Sequence, residues 1–289
     1  MKKVISLILC VFMLGSCMAF ADAIEGSRTV IGADLDADDI AYVYKEFGIS
    51  RGDVKELTVT NAEEREYLNG VVDESLIGTK SISCVYIEAL DEGKGLDVQV
   101  KNITWCTPDM YMNAMVTAGI TDANVRIVAP FDVSGTAALT GIYKAYEDIT
   151  GKKLDEDAKL VGTQELTVTA ELAEEIGSTD SAAIVNQLKL ILDETKDMTD
   201  DELREEIKKI AEEYDVNLTD SQIDSLISLC RSMEKLDTAA LKEKVEQVQK
   251  YLKDIVSKQG EIKQFLSSVA DTVTEFVNKV VSFIRGIFG

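Results

Sequence analysis

Hydrophobic and polar residues change rhythm along this chain. Val4–Leu14 is an apolar run interrupted by Ser6 alone. Beyond Asp22, short alternating or continuous apolar stretches at Thr29–Ala33, Val54–Thr60, Ile82–Leu90, Leu96–Thr104 and Asn124–Ala129 read as strands. Between them, apolar residues recur three and four apart, as helices require. Ile40, Val43, Tyr44 and Phe47 form one such stripe, and Met110, Tyr111, Ala114 and Met115 another. A third helix is expected over Ser134–Tyr146. Boundary residues agree. Asp36 is placed as an N-cap and Gly48 as a stop, Asn61 starts a short helix, and Pro108 and Gly119 bracket the Met110 stripe. Asp91–Gly95 reads as a turn folding the third and fourth strands into a hairpin.

Past Gly151 the strand signals fade and charge rises. Thr199 with Glu202, and Thr219 with Gln222, are spaced as capping boxes. Asp237 or Thr238 caps a longer helix reaching about Lys258, and Gly260 breaks it. In the last segment Ile262, Phe265, Leu266, Val269, Val273, Phe276, Val277, Val280, Ile284 and Ile287 recur at helical spacing, and the charges nearly cancel. The expected fold is α+β. An N-terminal α/β sandwich of about five strands occupies residues 22–150, an acidic helical region 151–260 and an amphipathic C-terminal helix 261–289.

Residues 1–21 have the form of a secretory signal. Lys2 and Lys3 precede an apolar run too short to span a membrane, and Ala19-Phe20-Ala21 and Ala21-Asp22-Ala23 offer cleavage sites. Leu14-Gly15-Ser16-Cys17 also reads as a lipobox, which would leave the chain tethered through a lipidated Cys17. Both readings place the protein outside the cytoplasm, secreted or membrane-tethered.

Composition narrows the function. A net charge of −22 repels nucleic acid and anionic membranes, so no nucleic-acid partner is expected. Histidine is absent, which removes Ser-His-Asp and Cys-His catalysis and the histidine zinc sites. Asp34-x-Asp36-x-Asp38 opens like a calcium loop. An EF-hand then needs Gly where Asp39 stands and Glu where Lys45 stands, so the aspartates read as helix caps. No catalytic residue, metal or cofactor is assigned. Cys84, Cys106 and Cys230 remain after the signal. An odd number without a CxxC pair reads as buried thiols, not a disulfide framework.

The most distinctive stretch is Ala129–Gly141, where a strand ends, a tight turn follows and a helix begins at Ser134. Backbone N–H groups at such a start can hold an anion. Asp132, Ser134, Gly135 and Thr136 are therefore candidate ligand-binding residues. Trp105 and Tyr111 join them, as members of an aromatic patch with Phe131. Ser134 as a nucleophile has no base beyond a Lys or an acidic residue.

These motifs also carry a resemblance. Ile31-Gly32-Ala33-Asp34-Leu35, Val59-Thr60-Asn61, Asn102-Ile103-Thr104-Trp105, Thr117-Ala118-Gly119-Ile120 and Ala129-Pro130-Phe131 through Tyr146-Glu147 resemble the YpuA-like family. The resemblance implies an exported protein of Gram-positive bacteria with a domain of unknown function, and it brings no catalytic residues. The expected role is a non-catalytic binding protein whose partner is an envelope protein or wall component. Two alternatives stand beside it: a membrane-surface factor acting through residues 261–289, and a His-independent hydrolase using Ser134. Homo-oligomerisation stays open.

Overall fold

A computed structural model describes residues 26–68 and 77–249. Five strands form one mixed sheet: β1 (Ser27–Gly32), β2 (Lys55–Val59), β3 (Cys84–Ala89), β4 (Leu96–Ile103) and β5 (Ala123–Val133). Their order is β2-β1-β3-β5-β4. β1 pairs in parallel with β2 and antiparallel with β3; β5 pairs antiparallel with β3 and in parallel with β4. Sheet and following helices together make the fold α+β.

The expected hairpin is not formed, because β5 lies between β3 and β4. The reason lies in the two strands. Cys84, Val85, Tyr86 and Ile87 are buried on both faces of β3, which calls for a central strand. β4 alternates, with Leu96 and Val98 buried and Asp97 and Gln99 exposed, the pattern of an edge strand. The turn at Asp91–Gly95 is tied to β5 instead: Gly95 N–H donates to Asp122 Oδ1 at 2.8 Å, and Ala123 N–H to the Gly95 carbonyl at 3.0 Å.

The sheet's two faces have different covers. On one, Ile31, Cys84, Tyr86 and Val128 pack against Val43, Tyr44 and Phe47 of α1 (Ala37–Phe47). Asp36 caps α1, accepting from the N–H groups of Asp38 and Asp39, and Gly48 ends it at φ 71°. On the other face, Val30, Val85, Ile87, Val98, Val125 and Ile127 meet α3 (Pro108–Ala118) and α4 (Thr136–Thr150). The short helix α2 (Asn61–Leu68) lies beside α4. Its cap differs from the expected Asn61. Thr60 and Glu63 form the reciprocal pair, the Glu63 N–H donating to Thr60 Oγ1 and the Thr60 N–H to Glu63 Oε2.

The apolar cluster on that second face continues into α5 (Glu156–Ile176), α6 (Ser178–Leu190), the single turn α7 (Leu192–Thr195), α8 (Asp200–Glu212), α9 (Asp220–Met233) and a helix entered at 238. Both capping boxes form as spaced, and the Asp237 side chain accepts from the Ala240 N–H. At the centre of the helices, Lys189 of α6 and Glu165 of α5 form a fully buried ion pair at 2.5 Å. Lys189 also donates to the Asn113 carbonyl of α3, and Thr117 donates to Glu165. This network joins α3, α5 and α6. Cys84, Cys106 and Cys230 are free and buried. Residues 1–21, with Cys17, and residues 261–289 lie outside the described residues. Among the described residues no helix is long and apolar enough to cross a membrane.

Candidate functional site

The stretch Ala129–Thr136 lies where β4, β5 and α4 meet. The strand does not end at Ala129 as expected; β5 runs to Val133 and bulges on the way. Lys101 pairs with Val128 and Ile103 with Val133, so residue 102 of β4 stands opposite residues 129–132 of β5. Asn102 makes this geometry by entering the left-handed region at φ 57°, which Asn tolerates better than most residues. Its side-chain amide donates to the Ala129 carbonyl at 2.8 Å. Thr104 closes the other end, its N–H donating to the Val133 carbonyl at 2.9 Å. Phe131, 52% exposed, and Asp132 project from this pinned bulge.

Beneath the bulge the chain is packed shut. Helix α4 starts at Thr136 with Gly135 as N-cap, not at Ser134. Gly135 sits at φ 99°, and a Cβ there would lie 2.5 Å from both Ile103 Cγ2 and Tyr111 Oη. Only glycine fits. Tyr111 is buried on α3 and donates to the Gly135 carbonyl at 2.6 Å. The Cys106 N–H donates to the Ser134 carbonyl at 3.1 Å. Thr136 donates its hydroxyl to Glu64, a buried carboxylate of α2. Trp105 is half-buried and donates its indole N–H to Glu174 of α5 at 2.7 Å.

The six candidate residues therefore divide. Asp132 is exposed and Ser134 and Trp105 are partly so, whereas Gly135, Thr136 and Tyr111 are foundation. The aromatic patch does not form, since Tyr111 is buried and Trp105 turns toward α5. At the start of α4 the chain's own Glu64 meets the Thr136 hydroxyl.

Electrostatics make this foundation inert at neutral pH. Burial pushes the Cys106 thiol up to about 12 and the Tyr111 phenol well above its ordinary value. Both stay protonated, so neither is a nucleophile. Burial also raises Glu64, against the pull of its hydrogen bonds from Thr136 and Asn61. None of the described side chains hydrogen-bonds the Ser134 hydroxyl. Among the described residues no group of three His, Cys, Asp or Glu side chains is placed to hold a metal.

Sequence reasoning placed Glu64 at the third position of the helix begun by Asn61 but missed its burial against Thr136, and it missed the Lys189–Glu165 pair. Glu64 was legible as a helical partner of Leu68, one turn on and equally buried. Lys189 stands among Leu188, Leu190 and Leu192, where a solvated lysine is out of place.

Against known families, residues 31–251 match the model described as "Protein of unknown function (DUF1002)". The chain belongs to the DUF1002 family. That match begins in β1 and ends at 251, so the DUF1002 unit takes in both the sheet and the described helices packed on it. Over 275 residues, 93% of each chain, this DUF1002 protein is 36% identical to "Uncharacterized protein YpuA" of Bacillus subtilis (strain 168). The YpuA-like resemblance is thus confirmed. No solved structure matches.

Proposed function

We propose that this DUF1002 protein is exported and works outside the cytoplasm as a non-catalytic interaction protein, meeting a protein partner through Phe131 and Asp132. The observation that carries this reading is the exposure of Phe131 on a backbone pinned at both ends, by Asn102 and by Thr104. A large apolar side chain held rigidly in solvent loses little conformational entropy on binding. Burying an aromatic ring of this kind supplies much of the energy of many interfaces. Asp132 beside it, on a chain of net charge −22, favours a partner with an apolar slot and a basic rim. Export rests on the leader at residues 1–21.

The test is affinity capture from envelope extracts with the mature chain and with Phe131→Ala. The variant is expected to fold as the parent does, with melting unchanged, and to lose captured partner about tenfold, the equivalent of 1.4 kcal/mol. Equal capture by both would remove Phe131 from the site. The hydrolase reading draws no support from the surroundings of Ser134.

A further inference from the structure

The two edges of the sheet are treated differently. The β2 edge is short, five residues, and guarded by charge. Lys144 donates to the Thr58 carbonyl at 2.6 Å, Lys55 pairs with Asp148 and Arg51 with Glu56. Such lysines and arginines are the usual protection of an exposed edge. The β4 edge is eight residues long. Its backbone pairs with β5 on one side, and among the described residues no backbone hydrogen bond reaches residues 96–101 from the other. α1 covers β1, β3 and β5 but leaves Asp97 and Gln99 exposed on that face. Lys101, the one cation of β4, is turned toward α1, paired with Glu46 at 2.5 Å and lying over the Tyr42 ring. Among the described residues this edge therefore presents a row of unpaired backbone groups beside exposed Asp97 and Gln99, and its far end lies opposite the bulge that carries Phe131.

Resting on the interaction reading above, we propose that β4 receives an extended, basic segment of the protein partner as a sixth strand, with Phe131 and Asp132 marking the end of its register. Main-chain hydrogen bonds to β4 supply the affinity of strand addition, and alternate side chains supply the selectivity. On the open face a lysine or arginine of the incoming strand meets Asp97. On the opposite face its apolar residues continue the row of Val98 and half-buried Val100.

The test uses the full mature chain and a synthetic peptide of alternating valine and lysine, with its valine–glutamate counterpart as control. Amide hydrogen exchange of residues 96–101 is followed as peptide is added. Alternate amides of β4 are expected to slow about tenfold or more with the lysine peptide, while those of β2 (Lys55–Val59) do not change. Asp97→Lys with Gln99→Lys, both exposed, is expected to keep the parent's melting temperature and abolish the protection. No protection of β4, or equal protection of β2, overturns the proposal, as does protection that the double variant retains. A loss of capture in Phe131→Ala together with an unprotected β4 sinks strand addition alone. Protected β4 together with undiminished capture sinks the Phe131 site alone.

Discussion

At the scale of single residues, Gly135 and Glu64 show how tightly the base of the bulge is built. Replacing Gly135 by Ala forces a left-handed backbone on a residue with a Cβ and drives that Cβ against Ile103 and Tyr111. Loss of about 2–4 kcal/mol is expected, read from urea unfolding. Glu64 acts through pH. Its carboxyl is raised by burial, so the native state holds this proton at pH values where the unfolded chain has lost it. The stability it contributes is full below the ordinary glutamate range, near pH 4, and is lost as pH rises through the raised value. Glu64→Gln keeps an acceptor for the Thr136 hydroxyl without the charge. The variant is therefore expected to equal or exceed the parent in stability at pH 7, with the gap closing toward pH 4. A constant gap from pH 4 to pH 7 in thermal melts would contradict this. Gly135 was legible as part of a helix start, but the need for glycine comes from Tyr111, a contact across 24 positions that local pattern does not contain.

At the scale of elements, all five strands were legible from apolar runs, and the helix caps at Asp36, Thr199 and Thr219 from spacing alone. Pairing was not. Asp91–Gly95 has the composition of a hairpin turn, and the competing signal was burial: β3 is apolar on both faces and needs two neighbours, whereas β4 alternates. A second feature, the Lys189–Glu165 pair, joins residues 24 positions apart on two helices, a contact that local pattern does not contain. Removing one member leaves the other charge buried without a partner. Glu165→Leu or Lys189→Met is expected to cost about 3–5 kcal/mol, and the two together to recover most of it. Denaturant midpoints of the four chains make the comparison. Additive losses in the double variant would mean that the two groups act independently.

At the scale of the whole molecule, the helices share one apolar cluster with the sheet, so the bulge is mounted on a rigid body. The candidate stretch at Ala129–Thr136 was legible in the sequence as a place, and its working surface was not. A turn-like composition pointed to the helix start, while the geometry turns Phe131 and Asp132 outward and fills the helix start with Glu64. The difference comes from Asn102, whose left-handed backbone converts an expected turn into a bulge. The most direct test of the account replaces Phe131 by a photoreactive benzoylphenylalanine in growing cells. Leu160, an exposed apolar residue on α5, carries the same probe as control. The account predicts one discrete protein adduct outside the cytoplasm from position 131 and none from position 160. Absence of an adduct at 131, or the same adducts from both positions, would contradict it.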